Sequence, residues 1–317
     1  MSFLEITNLT LEFGTPEHPL RAVDGVSLSL EAGESICLVG ESGCGKSLTA
    51  LSIARLVPCP PARYVAGEIR LNGRDVLHLP ARELRKIRGG MVSYIFQEPG
   101  ASLNPVFRVG NQIKESLKLH CPEAANDGEV IRLLKLVGIP APESRLKDYP
   151  HQMSGGMQQR VMIAMALASR PKLVIADEPT TALDVTIQAQ VLELLLDLKR
   201  RLGMSILLIT HNLGIVSDLA DRVIVMYAGQ VVETAPARAL LKHPRHPYTR
   251  ALLNSVPRLG GEVARLTAIP GSVPALDQMP VGCRFHPRCP LAKPECSRTP
   301  PELLQVESSR WVRCPYT

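Results

Sequence analysis

The segment Gly40-Glu41-Ser42-Gly43-Cys44-Gly45-Lys46-Ser47 fits the pattern G-x-x-x-x-G-K-[ST] at every fixed position, and it constrains the fold more than any other feature of the chain. It follows the apolar run Ser35-Ile36-Cys37-Leu38-Val39, which reads as a strand. It precedes Leu48-Thr49-Ala50-Leu51-Ser52-Ile53-Ala54, which reads as a helix. Strand, glycine loop and helix in that order are the context the motif requires. The glycines let successive N–H groups wrap an anion, and the helix that follows turns its positive end toward the same place. Gly40, Ser42, Gly43, Cys44, Gly45 and Leu48 thereby become candidate phosphate contacts. Lys46 is expected to reach β and γ phosphates, and the Ser47 hydroxyl to ligate Mg²⁺. A plain glycine turn is the alternative; the full match and the correct flanks speak against it.

A second apolar run, Lys172-Leu173-Val174-Ile175-Ala176, ends in Asp177-Glu178-Pro179. A buried strand that ends in two carboxylates can give each a separate task, because successive side chains leave a strand on opposite sides. Asp177 is expected to hold Mg²⁺ through water and Glu178 to polarise the attacking water, so hydrolysis is implied as well as binding. An Asp-Glu turn after a core strand is the structural alternative.

The third element is Met153-Ser154-Gly155-Gly156-Met157-Gln158-Gln159-Arg160, ahead of the helix-like run Val161 through Ala168. A Ser-Gly-Gly turn that caps a helix presents a hydroxyl, amides and a positive helix end to a phosphate. With this element the chain resembles the ATP-binding-cassette (ABC) family, in which Ser154, Gly155 and Gly156 would grip the γ-phosphate bound by the opposite subunit. Met153 and Met157 depart mildly from that family's Leu and Gln. The resemblance extends to Gln97, which would contact Mg²⁺ or the attacking water and report nucleotide state to a membrane partner. It assigns Asp184 to communication across a dimer, and His211 to the γ-phosphate and to the positioning of Glu178. Phe13 would stack on adenine, with a place in the core as the alternative. The implied fold is α/β, a P-loop NTPase of the ABC nucleotide-binding type, with a parallel sheet core, an antiparallel β subdomain and a helical subdomain.

Composition agrees. The chain has 317 residues, 45% of them hydrophobic, enough for one large domain and an appendage. No apolar stretch reaches the roughly 18–20 residues that span a bilayer, and the N-terminal residues carry no basic region followed by a signal-peptide core. A cytosolic location is expected. The net charge of +6 is spread among acids, which does not indicate a nucleic-acid stripe, so no nucleic-acid partner is expected.

Residues from about Leu4 to Leu38 alternate apolar and polar around Gly14-Thr15-Pro16-Glu17, predicting an antiparallel sheet. Helical periodicity over Val109 through Leu119 and Val130 through Val137 marks the stretch that the family resemblance makes a helical subdomain, residues 99–165. Strands and helices alternate from Lys172 to Val232, predicting a parallel sheet covered on both faces. The expected division is an ATPase domain over 1–255 and a C-terminal extension over 256–317.

That extension is rich in Pro, Cys and Arg. Cys283, Cys289, Cys296 and Cys314 cluster there with the spacing C-x₅-C-x₆-C-x₁₇-C, whereas Cys37, Cys44, Cys59 and Cys121 are scattered. In a reducing compartment such crowding suggests metal ligation rather than disulfides. Zinc favours tighter pairs; the wider gaps suit an iron–sulfur cluster at least as well; unligated thiols remain the third reading. His246-Pro247-Tyr248-Thr249-Arg250, Ile269-Pro270-Gly271-Ser272-Val273-Pro274 and Gly282-Cys283-Arg284-Phe285-His286-Pro287-Arg288-Cys289-Pro290 resemble the C-terminal extension of bacterial dipeptide and oligopeptide importer ATPases. The four cysteines resemble those of the dipeptide-type subunit that bears a [4Fe–4S] cluster. The resemblance implies ATP and Mg²⁺ as ligands, a second homologous ATPase, two transmembrane permeases and an extracytoplasmic binding protein as partners, and a peripheral place on the cytoplasmic face of the membrane. Related systems carry nickel, glutathione or antimicrobial peptides instead of peptides. A soluble ABC ATPase of DNA repair would need a long heptad insertion before Ser154, and a translation-type protein would need two cassettes; the chain has neither.

Overall fold

The computed structural model describes residues 2–181, 183–211, 213–255 and 269–317. They divide into two compact units, Met1–His78 with Ile209–Thr317, and Leu79–Leu208. The expected boundary of the extension, near Val256, lies outside the described residues.

In the first unit β1 (Leu4–Gly14) and β2 (Pro19–Leu30) pair antiparallel, with Leu4 opposite Leu30 and Phe13 opposite Leu20. Leu4, Ile6, Leu9 and Leu11 are buried. An irregularity between Ile6 and Leu9, where Asn8 has φ 50°, resets the alternation without turning those side chains outward. The antiparallel sheet differs from the expectation in its membership. β3 (Ser35–Val39) leaves it, and β4 (Arg63–Leu71) and β5 (Arg74–Asp75), which follow α1 (Lys46–Ser52), complete the order β2-β1-β4-β5. All five residues of β3 are buried. Such a strand needs cover on both faces, which a sheet with one solvated face cannot give.

β3 instead pairs parallel with β9 (Arg222–Tyr227), Cys37 opposite Val223. β10 (Gln230–Pro236) corrects the expectation of parallel strands throughout: it returns antiparallel beside β9. The two residues Ala228 and Gly229 between them leave no length for a crossover helix. The tail then adds the hairpin of β11 (Leu304–Glu307) and β12 (Arg310–Val312) to this edge, Glu233 of β10 opposite Val312. Arg310 donates to the fully buried Glu233 carboxylate at 2.8 Å, and the N–H groups of Arg245 and His246 donate to it at 2.9 and 2.8 Å. A buried carboxylate so surrounded makes the hairpin costly to detach. α9 (Val216–Leu219), α10 (Ala237–Lys242) and α11 (Pro247–Asn254) complete the first unit.

In the second unit β6 (Val92–Ile95) and β7 (Leu173–Asp177) are parallel neighbours, and β8 (Ser205–Thr210) follows β7 in strand order. α2 (Ala81–Ile87) precedes them, and α3 (Pro99–Ser102), α4 (Val109–His120), α5 (Asp127–Leu136), α6 (Pro142–Arg145) and α7 (Gly155–Leu167) lie between β6 and β7. α4 and α5 coincide with the two helices expected from periodicity, and both pack on α7. Val161, Met162, Ile163, Ala164, Ala166 and Leu167 of α7 are all buried, as a helix apolar on every side must be. α8 (Val185–Leu202) starts at its N-cap Asp184 and ends at Gly203 in the left-handed conformation, with Lys199, Arg200 and Arg201 in its last turn, the charge sense that a helix dipole favours. Among the described residues no helix is long and apolar enough to cross a membrane.

Candidate active site

β3 delivers the chain to the glycine loop and α1 begins at Lys46, as the motif predicts. A Cβ on Gly40 would run into the Met226 carbonyl and stand 2.7 Å from Cys44 Sγ, so only glycine lets the loop lie this close to β9. Lys46 is buried, and its Nζ donates to the carbonyls of Gly40 and Glu41 at 2.8 and 2.9 Å. The ammonium therefore sits over the loop it closes. Ser42, Gly43 and Ser47 are exposed, Leu48 is half-buried, and Gly45 is the N-cap of α1. Burial pushes the Cys44 thiol up, so this side chain packs while the backbone around it serves the loop. Phe13 lies near the end of β1, half-buried. His211, at the end of β8, is exposed.

Residues that the motif did not single out also hold the loop. The Glu41 N–H donates to Tyr248 Oη at 2.9 Å, and Arg288 donates to both Glu41 carboxylate oxygens at 2.8 and 3.0 Å. Arg284 pairs with Asp24 at 2.5 Å and also donates to the carbonyl of Ala228, whose neighbour Gly229 donates its N–H to the Cys44 carbonyl in the loop at 2.9 Å. Nothing in spacing or periodicity announces these partners. The only hint is that Arg284 and Arg288 stand among the cysteines.

In the second unit Asp177 ends β7, half-buried, and Glu178 follows with φ 46°. A left-handed backbone at a non-glycine residue is strained, and such strain concentrates at functional positions. Gln97 Nε2 donates to Glu178 Oε2 at 3.1 Å, and Thr181 Oγ1 donates to the same oxygen at 3.0 Å. Two of the expected catalytic residues are thus brought together, and Thr181 is a partner that the sequence reading missed. Ser154 is the N-cap of α7, accepting from the Met157 N–H at 3.4 Å, and both Ser154 and Gly155 are exposed. The turn packs against the start of α8. A Cβ on Gly156 would stand 2.9 Å from Ile187 Cγ2, while Asp184 accepts from the Ile187 N–H at 3.0 Å.

The four clustered cysteines converge on one cavity of about 290 Å³ in the first unit, lined also by His246 and Phe285. Gly282, with φ 77°, lets its strand of chain pass against Cys296; a Cβ there would collide with the Cys296 carbonyl, which accepts from the Cys283 N–H at 2.8 Å. Burial pushes the thiols of Cys283, Cys289 and Cys314 up, and the charge of neighbouring cysteines adds to the rise. Among the described residues no three His, Cys, Asp or Glu side chains form a group that could hold a metal ion. Cys37 and Cys44 are buried elsewhere, Cys121 is buried and Cys59 exposed.

The sequence matches two protein families, "ABC transporter" over residues 23–181 and "Oligopeptide/dipeptide transporter, C-terminal region" over residues 232–296. Its relatives include the oligopeptide transport ATP-binding protein AppD of Bacillus subtilis (strain 168), 52% identical over 315 residues, which are 99% of this chain and 96% of AppD. The dipeptide transport ATP-binding protein DppD of Escherichia coli (strain K12) is 48% identical over 318 residues, covering 100% of this chain and 97% of DppD. Among solved structures, the dimeric post-hydrolysis state of the ATP-binding cassette MJ0796 bound to ADP and Pi is similar with a TM-score of 0.64 and 27% identity, over 74% of this chain and 99% of that one. A phosphate loop entering α1, a strained glutamate after a buried strand and a Ser-Gly-Gly cap on α7, together with these likenesses, lead to one conclusion: the chain belongs to the ATP-binding subunits of the oligopeptide/dipeptide ABC transporter family and is an ABC-type ATPase.

Proposed function

We propose that this subunit hydrolyses ATP to energise the uptake of dipeptides and oligopeptides across the cytoplasmic membrane of a bacterium. The observation that carries the reading is the likeness to AppD and DppD along nearly the whole chain, tail included. In it, residues 1–255 form the ATPase domain, with its helical subdomain at about 99–165, and 256–317 the extension. The subunit lies peripherally on the cytoplasmic face and works with a second homologous ATPase, two permeases and an extracytoplasmic binding protein.

In this reading each site residue takes one role. The amides of Gly40 to Leu48 and the Lys46 ammonium bind the phosphates, Ser47, Gln97 and Asp177 serve Mg²⁺, and Phe13 stacks on adenine. Glu178 takes the proton of the attacking water, its carboxylate oriented by the hydrogen bonds from Gln97 and Thr181. His211 binds the γ-phosphate. Ser154, Gly155 and Gly156 grip the phosphate held by the partner ATPase, with Asp184 carrying the signal across, so that two subunits stacked head to tail close on ATP and part after hydrolysis.

The same reading gives the cysteine cavity a [4Fe–4S] cluster held by Cys283, Cys289, Cys296 and Cys314. Four soft ligands around a space wider than a single ion support a multinuclear group. When bound, it would cross-link a segment that has little core of its own.

Uptake of a radiolabelled dipeptide by cells that carry or lack this gene tests the proposal. Cells that lack the gene are expected to lose uptake, and the wild-type copy to restore it. Unchanged peptide uptake together with lost uptake of nickel, glutathione or an antimicrobial peptide would reassign the cargo.

A further inference from the structure

We propose that Arg288, from the cysteine-bearing tail, is a positioning residue for the phosphate loop: it orients and neutralises Glu41, and thereby sets the affinity of the loop for ATP. The inference rests on the loop being the nucleotide site.

Glu41 directly follows Gly40 inside the loop. Its backbone is gripped on both sides, the N–H by Tyr248 Oη and the carbonyl by Lys46 Nζ. Its carboxylate receives the Arg288 guanidinium as a two-pronged fork. A bidentate pair of this kind fixes orientation as well as charge.

Arg288 is itself immobilised. Its side chain is only 6% exposed, its Nε donates to the Pro270 carbonyl at 2.7 Å, and its guanidinium lies 5.7 Å from the centre of the Tyr227 ring. Tyr227 packs with Tyr248 and Phe285 at centroid distances of 4.7 and 5.2 Å, so a rigid aromatic platform carries both groups that reach Glu41. Without Arg288, a carboxylate that is 29% exposed would stand unpaired in the loop that receives the phosphates of ATP. It would repel them, and the loop would lose the contact that holds its second residue. Both effects weaken binding. Cys289 is the next residue, so one peptide bond joins the wall of the cysteine cavity to this contact.

The test measures MgATP affinity of the full-length protein by competition with a fluorescent ATP analogue, together with ATPase kinetics in the assembled transporter. Arg288→Gln is expected to raise Kd on the order of tenfold, within the usual range of coupling between a remote contact and a binding site, and to raise KM for ATP while leaving kcat within about twofold. Glu41→Gln combined with Arg288→Gln should recover most of the affinity, since no charge then needs a partner. Lys46→Ala is the reference. If it binds ATP normally, the loop is not the nucleotide site and the proposal falls with that reading. If Lys46→Ala loses binding but Arg288→Gln matches the wild type, the positioning role alone is overturned. A defect in Arg288→Gln that Glu41→Gln does not relieve, with a lowered unfolding midpoint, would likewise overturn it in favour of general support of the fold.

Discussion

Gln97 and Glu178, 81 residues apart in sequence, share a hydrogen bond of 3.1 Å between Nε2 and Oε2. The glutamate is thus held by side chain as well as by its left-handed backbone. Glu178→Gln keeps the shape of the side chain but removes the base. ATP binding should persist while hydrolysis falls about 10²-fold or more, the usual scale for a positioned general base. Wild-type turnover by this variant in the assembled transporter would remove Glu178 from the mechanism.

Ser154 is exposed at the N-cap of α7, where a larger side chain can extend into solvent. Ser154→Arg should therefore leave the fold and the variant's own nucleotide affinity intact, yet block hydrolysis at the site whose phosphate loop belongs to the partner. Complexes with one variant subunit separate the two sites. A defect confined to the site containing this chain's Lys46 would show that the subunits do not stack head to tail.

For the cysteine cavity, anaerobically purified protein should contain iron and sulfide. Replacing Cys283, Cys289, Cys296 or Cys314 by Ser should release the iron and loosen residues after about Gly282, as loss of a ligand in a metal-stabilised segment does. Nucleotide binding should persist, weakened no more than in Arg288→Gln. Colourless protein with stoichiometric zinc would refute the iron assignment, and metal-free protein with an ordered tail would refute ligation.

His246 gives a pH prediction. It is buried among Phe285, Tyr248 and the cysteine cavity wall, and its Nδ1 accepts from the Tyr248 N–H at 3.1 Å. Burial pushes its imidazole down to about 3, with the charges of Arg313 and Arg250 adding to the fall and a hydrogen bond to the Arg313 backbone opposing it. The folded state thus refuses a proton that the unfolded chain takes up near pH 6.5. The stability due to neutral His246 is present above that pH and is lost as pH falls toward 3, at up to about 1.4 kcal/mol per pH unit. Unfolding free energies between pH 6.5 and 5 should fall less steeply in His246→Asn, which keeps an acceptor but does not titrate. Equal slopes would contradict the assignment.

The nucleotide loop, the buried strands on either side of it and the cap of α7 were legible from sequence because each depends on consecutive residues. Glycines that permit close approach, a lysine and a serine at fixed offsets, and a run of apolar side chains all act through local backbone geometry. The helices α4 and α5 were legible for the same reason, since a period of 3.6 residues needs no knowledge of what lies opposite. Tertiary structure decided what those segments touch. It put β4 and β5, rather than β3, beside the first hairpin, turned β10 back against β9, and laid the tail's hairpin on β10, because strand pairing is settled by burial on each face and by turn length. It gathered four cysteines spread over 32 residues around one cavity. Above all it placed Arg288 on Glu41, 247 residues away. An ion pair between distant residues leaves no periodic trace in the chain; it exists only where packing brings two charges out of water together.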